Sequence, residues 1–244
     1  MHPGTFGSYQ QYPAQYDSYH SQQHYALPPA LYYSIDVECV ATGLDHNARA
    51  VAQISLVDQY ERVSLNLYVK PDRPVVSYLT PLTGLSQELV ESQGMSLADA
   101  VATLRQYLPA SAILVGQNVG KDVEWLKLKE GADFKALVDL SGVYRVWNPR
   151  FKTWSVFSQD HLARVLLNWG PDAAGHDAVL DAVKSVRLFN LYSQLQASPE
   201  AWQSAQEALL AAEPTESFAK RNPTFEGVCM GNRKTCRCGA PFLG

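Results

Sequence analysis

Basic side chains are not in excess in this chain: 20 Lys and Arg stand against 24 Asp and Glu, for a net charge of −4. That excludes a general electrostatic coat for polyanions, so a polyanionic ligand has to be met by local cations or bound metal. Long hydrophobic runs are missing too. No apolar stretch approaches a membrane span, and the N-terminus lacks a basic start followed by an apolar core. These absences give the expectation of a soluble intracellular protein, nuclear or cytoplasmic, with no membrane partner. Cysteine is sparse: Cys39 lies in the body of the chain, while Cys229, Cys236 and Cys238 crowd near its end. This distribution is unlike the disulfide framework of a secreted protein. Residues 1–30 are nearly devoid of aliphatic side chains and rich in Tyr, Gln, Ser, His and Pro. They cannot bury enough apolar area to offset the entropy of ordering, which predicts a disordered tail.

What remains is globular in composition. Hydrophobic residues make up 46% of 244, enough for one good-sized domain without disulfide support, expected over residues 31–212. Residues 213–244 carry Lys220, Arg221, Arg233, Lys234 and Arg237 around the pattern Cys229-x6-Cys236-x-Cys238. Three thiols could hold zinc with a fourth ligand from elsewhere, but the spacing matches no common finger, and a flexible basic tail is the expectation.

The stretch Tyr33-Ser34-Ile35-Asp36-Val37-Glu38-Cys39 places two acids in a strand-like run. Residues two apart share a face of a strand, so Asp36 and Glu38 point one way while Ile35 and Val37 point the other. Two carboxylates side by side repel and lose hydration unless a cation, a proton or solvent compensates. Taken alone, the pair reads equally as a solvated edge strand or as a metal site.

Strand patterns follow at Ala50 to Val57 and Val63 to Lys70, joined by a short turn, so antiparallel pairing is expected. Ser96 and Asp99 form a capping-box pattern before a helix whose buried face carries Leu97, Val101, Leu104 and Leu108; Pro109 ends it. Ala112 to Val115 reads as a buried strand running through Gly116-Gln117-Asn118 into a helix from about Val119, with Asp122 beside its apolar stripe. The end of such a strand is where open α/β sheets place ligands. Another short strand is expected at Leu137 to Leu140. Residues 144–157 interleave Tyr144, Trp147, Phe151, Trp154 and Phe157 with Arg145, Arg150 and Lys152, a pattern that serves either for stacking on single-stranded bases or for packing a loop. Ser158 caps one predicted helix, Asp177 a second, and Ser198-Pro199 a third. His176 and Asp181, five apart, converge only if His176 sits in the loop before the helix and Asp181 in its first turns.

Asp36, Glu38, Asp122, His176 and Asp181 thus stand at strand or helix ends. Four carboxylates can hold two divalent ions about 3.5–4 Å apart, the arrangement in which one activates water and the other stabilises a leaving phosphodiester oxygen. All-oxygen donors suit two Mg²⁺ or Mn²⁺. His176, at an ordinary pKa of about 6.5, is suited to take the proton of the attacking water.

In this order the residues resemble the DEDDh exonucleases of the ribonuclease-H-like superfamily. The resemblance rests on Asp36-x-Glu38 with Thr42-Gly43-Leu44, Gly116-Gln117-Asn118-x3-Asp122, and His176-x4-Asp181. It covers about residues 32–195. His176, with no tyrosine four residues before Asp181, matches the histidine branch. His176-Asp177-Ala178, Tyr68-Val69-Lys70-Pro71 and Thr83-Gly84-Leu85 look most like the eukaryotic RNA exonuclease subgroup. The resemblance implies an α/β fold with a mixed central sheet, three antiparallel strands then parallel ones, flanked by helices. It implies metal-dependent 3′–5′ removal of nucleoside 5′-monophosphates from single-stranded 3′ ends, RNA ahead of DNA. Asp36, Glu38, Asp122 and Asp181 become metal ligands, His176 the general base, and Thr42, Leu44 and Asn118 substrate contacts. A DNA-directed exonuclease and a non-catalytic nucleic-acid-binding module are the alternatives. Cys39, Gln117 and Gly120-Lys121 depart from the usual pattern without removing a ligand.

Overall fold

The acidic stretch forms β1 (Tyr32–Ala41), followed by β2 (Arg49–Asp58) and β3 (Val63–Tyr68), both pairings antiparallel. The coordinates are a computed structural model describing residues 29–170 and 175–242, so residues 1–28 of the expected N-terminal tail lie outside the described residues. The proline-rich link after β3 contains two short helices that the sequence pattern did not announce, α1 (Thr80–Thr83) and α2 (Gln87–Gln93). Helix α3 (Leu97–Tyr107) starts at the predicted cap: Ser96 Oγ accepts the Asp99 N–H at 3.1 Å and donates to the Asp99 carboxylate at 2.6 Å. Next come β4 (Ile113–Gly116), α4 (Gly120–Trp125), β5 (Ala136–Asp139) and α5 (Leu140–Val143).

β4 runs parallel to β1, and β5 parallel to β4, giving a sheet of order β3-β2-β1-β4-β5. This is the expected mixed sheet. The aromatic-basic stretch folds as a separate hairpin of β6 (Val146–Asn148) and β7 (Thr153–Ser155). Helices α6 (Gln159–Leu167), α7 (Ala178–Leu195) and α8 (Pro199–Ala211) start at Ser158, Asp177 and Ser198, each side chain accepting N–H groups of the first turn.

The alternation in β1 divides two cores. Ile35 and Val37 pack with Ile54, Leu56, Leu104, Leu114 and Phe134 on one side of the sheet. The other side meets α7, where Val57 packs with Ala182, Val183 and Val186. Because Asp36 pairs with Ser55 and Ser34 with Val57, the acidic side chains share this second face.

Residues 213–244, expected as a flexible tail, differ from that expectation. They contain α9 (Phe218–Arg221) and a hairpin of β8 (Thr224–Phe225) and β9 (Val228–Cys229). Val228 is fully buried against Ala41 and Leu79, and the Cys229 N–H donates to the Leu44 carbonyl at 2.7 Å. The signal was weak because the strands are two residues long and the turn is Glu226-Gly227. Both residues have positive φ, 48° and 79°, as a tight hairpin needs, but Glu stands where Asn or Asp is usual.

Candidate active site

β4 pairs with β1 only from Tyr32 to Ser34, so Asp36 and Glu38 lie beyond the carboxyl end of their parallel neighbour. Strand order leaves a crevice there, the usual ligand position in open α/β sheets. Between Glu38 and Cys39 the pairing with β2 jumps from Gln53 to Val51, leaving Ala52 as an extra residue. Such a bulge bends the strand and re-aims its side chains.

Each remaining carboxylate arrives from a helix start. Asp122, in the first turn of α4, is 7% exposed and accepts the backbone N–H of Val37. Asp181, in the first turn of α7, is 6% exposed. His176 lies in the loop before α7, and its Nδ1 is 2.8 Å from Asp181 Oδ2. Loop histidine and helical aspartate thus meet, as their spacing requires. The loop is pinned by the His176 N–H donating to the Leu82 carbonyl at 2.6 Å. Gly175 makes this approach possible, with φ of +89° and a space in which a Cβ would sit 2.8 Å from the Pro81 carbonyl oxygen. Thr83 holds that turn, its Oγ1 donating to the Tyr78 carbonyl at 2.9 Å.

Donor atoms of Glu38, His176 and Asp181 lie within 4.8 Å of one another. Asp36, His176 and Asp181 line a cleft of about 1090 Å³ together with Gln117, Asp160 and Lys184. Asp122 is not among the lining residues; its charge nevertheless reaches Asp36 and Glu38. Thr42, Leu44 and Asn118 do not figure among the described residues lining the cleft. Leu44 is 64% exposed, and Asn118 is exposed at a left-handed φ of 55° with its N–H on Asp139. In the hairpin, Trp147, Phe151 and Trp154 are exposed, with Arg145 over Trp154 and Arg150 over Phe151; Tyr144 is instead buried on α7 and α8.

The electrostatics are those of a site short of positive charge. Burial, then the charges of Asp181, Asp122 and Glu38, push the Asp36 carboxyl well above the ordinary range. Burial and then Asp181 raise Glu38 to about 8, and burial raises Asp122 to about 8. Burial works to raise Asp181 as well, but the His176 hydrogen bond and the Lys184 ammonium outweigh it and hold that carboxyl low. The same hydrogen bond lifts His176 to about 9 against the opposing effect of burial. Buried oxygen donors whose negative charges raise one another's pKa form a donor set that suits hard divalent ions, and Asp36, Glu38, Asp122 and Asp181 are the residues that could hold them.

The signs give a prediction for pH. Three carboxyls with raised pKa lose folded-state stability as pH climbs through the raised values, because ionisation inside the metal-free site costs free energy. His176, raised above its unfolded value, contributes stability below about 6.5 that is lost as pH rises to about 9. Asp181 alone runs the other way, its contribution fading only in acid. Divalent ions require the deprotonated groups, so their stabilisation grows over the same interval. The gap in thermal-unfolding midpoint between Mg²⁺ and EDTA is therefore expected to widen from about pH 6 to about pH 9. A gap independent of pH would contradict these assignments.

Two side chains of this cleft had no sequence signal. Lys184 is 1% exposed, with Nζ 2.8 Å from Asp181 Oδ1 and 3.5 Å from Asp160 Oδ1. Asp160 also lies 3.8 Å from His176 Nε2. Lys184 is three residues after Asp181 on α7, which places it on the same face as that carboxylate; on an otherwise apolar face it reads as a solvated charge until the fold buries it. Lys184→Met is expected to destabilise the metal-free protein by about 3 kcal/mol, as breaking a buried ion pair does, and by much less in saturating Mg²⁺. Urea unfolding with and without Mg²⁺ checks this; equal losses in both would remove Lys184 from the charge balance of the site.

Comparison with known proteins bears on this geometry. Residues 34–189 match the family model described as Exonuclease (RNase T), a span holding all five acidic and histidine residues. Small RNA degrading nuclease 3 of Arabidopsis thaliana is 29% identical over 157 residues, covering 63% of this chain and 19% of that protein. RNA exonuclease 5 of Bos taurus is 30% identical over 211 residues, 84% of this chain and 25% of that one. The chain thus spans about a quarter or less of these relatives' length. Among solved structures, the Saccharomyces cerevisiae Pan2 pseudoubiquitin hydrolase–RNA exonuclease module in complex with AAGGAA RNA superposes with a TM-score of 0.60 at 14% identity, covering 75% of this chain and 32% of that one; at that identity the likeness is one of fold. With its ribonuclease-H-like sheet and a family match over well over half its length, the chain belongs to the exonuclease family.

Proposed function

We propose that this protein removes nucleoside 5′-monophosphates from the 3′ ends of single-stranded RNA, using two Mg²⁺ or Mn²⁺ ions. The observation carrying this reading is that α7 and its leading loop bring Asp181 and His176 onto the β1 face that holds Asp36 and Glu38, with Asp122 close enough for its charge to act on both acids. Asp36, Glu38, Asp122 and Asp181 would hold the ions, which when bound supply a nucleophilic water and neutralise charge on the scissile phosphate. His176 takes the water's proton at Nε2, since its Nδ1 faces Asp181 and the two nitrogens then carry different duties. The pKa of about 9 belongs to the metal-free site, where His176 is hydrogen-bonded to the Asp181 carboxylate. Names of the relatives favour RNA over DNA. An intracellular setting, nuclear or cytoplasmic, goes with such a substrate.

The deciding experiment follows single-turnover shortening of 3′-free and 3′-blocked oligonucleotides, RNA and DNA, with Mg²⁺ or EDTA. Mg²⁺-dependent loss of one nucleotide at a time from free RNA ends is expected. Binding without shortening would leave the non-catalytic alternative standing, equal cutting of blocked ends would sink the polarity, and faster cutting of DNA would reverse the substrate order.

A further inference from the structure

Apart from the acidic cluster, the structure gathers a second group of potential ligands. His46, in the loop after β1, meets Cys229 at the end of β9 and Cys236 and Cys238 beyond it, with the donor atoms of all four within 4.8 Å of one another. We propose that these four residues form a structural zinc site that fastens the C-terminal segment to the loop carrying Leu44.

The distances are those of a coordination shell. One atom, His46 Nδ1, lies 3.2 Å from Cys238 Sγ, 3.6 Å from Cys236 Sγ and 3.8 Å from Cys229 Sγ. Cys236 Sγ is 3.3 Å from Cys229 Sγ and 3.4 Å from Cys238 Sγ. Zinc bonds of about 2.3 Å to sulfur and about 2.0 Å to nitrogen set tetrahedron edges of about 3.8 Å between sulfurs and about 3.5 Å between sulfur and nitrogen. The observed edges run close to these values, slightly contracted between sulfurs. Three soft thiolates and an imidazole select zinc, in contrast to the all-oxygen acid set in the cleft. Four protein donors leave no open position, which makes the role structural.

The surroundings prepare the ligands. His46 Nε2 lies 3.2 Å from the Pro241 carbonyl oxygen, so Nε2 carries the proton and Nδ1 presents its lone pair to the sulfurs. Phe242 stacks on the same ring with centroids 4.5 Å apart. The Gly231 N–H points at Cys229 Sγ at 3.4 Å, and Gly231 has a φ of +73° with a Cβ position only 3.3 Å from His46 Cβ. A side chain there would both strain the backbone and crowd the histidine.

The segment also needs a centre. Among its described residues from 213 onward only Val228 and Cys229 are buried. A piece of about thirty residues with so little core is the size at which metals or disulfides usually substitute for one. The pattern was opaque in sequence because the fourth ligand is 183 residues from Cys229.

The test uses the full chain, purified without a histidine tag. Elemental analysis is expected to find about one zinc per chain, retained in Asp181→Asn and lost in Cys238→Ser, whose position is exposed. Reconstitution of the wild-type chain with Co²⁺ is expected to give thiolate-to-cobalt charge-transfer bands, a readout that does not depend on any variant folding. Absence of zinc with Cys229, Cys236 and Cys238 all freely titrating, a disulfide within that set, or zinc retained in both Cys236→Ser and Cys238→Ser would each overturn the assignment.

Discussion

Asp36→Ala is expected to lower single-turnover cleavage by about 10⁴-fold or more, with oligonucleotide binding in EDTA little changed. The size follows from placement. Asp36 is the carboxylate on which the charges of Asp181, Asp122 and Glu38 all act, so on the function proposed above its loss would remove a ligand shared between the two ions. Metal stabilisation of the developing charge is worth several kcal/mol, and each 1.36 kcal/mol is tenfold in rate. The substitution also relieves repulsion in the empty site, so the metal-free variant is expected to be at least as thermally stable as the wild type at neutral pH. Greater stability with lost cleavage would be hard to produce by misfolding. Rapid-quench assays and thermal melts in EDTA read both quantities; cleavage within tenfold of wild type would remove Asp36 from the metal site.

For His176→Ala the expected loss is about 10²- to 10³-fold in rate, the range for a positioned general base, with little change in substrate affinity. Its hydrogen bond to Asp181 gives a second readout. Without the imidazole, one of the causes holding the Asp181 carboxyl low is gone, although Lys184 remains. The apparent affinity for Mg²⁺ should therefore persist, while the wild-type dependence of rate on the histidine's protonation disappears. An unchanged pH–rate profile in the variant would mean that some other group takes the proton.

The larger part of the fold was legible because periodicity and end signals agreed. Strand alternation placed Ile35 and Val37 in the core and Asp36 and Glu38 opposite, and Ser96, Ser158, Asp177 and Ser198 all cap the helices expected of them. Helix geometry set the condition for the His176–Asp181 contact, a histidine in the loop before the helix, because five residues along one helix diverge, and the structure meets that condition. Illegible features are those made by distant parts of the chain. Lys184 is an unremarkable lysine until α6 and β1 bury it, and Asp160 is a first-turn acid like many others. Cys229, Cys236 and Cys238 had no visible fourth partner, since local spacing carries no information about a histidine after β1. Thr42, Leu44 and Asn118 came from resemblance alone, having no periodicity or end signal of their own.

The hydrogen bond from Cys229 to the Leu44 carbonyl has a consequence for timing during synthesis. The loop after β1 leaves the ribosome well before the strand end that latches it, which is made nearly two hundred residues later. Asp36 and Glu38 likewise wait for α7 before they have Asp181 and His176 beside them. Domains fold as units as the chain lengthens, and long-range contacts form only after the intervening chain has been closed. A nascent chain stopped short of β9 therefore carries an unfastened loop even when every acidic ligand has already emerged.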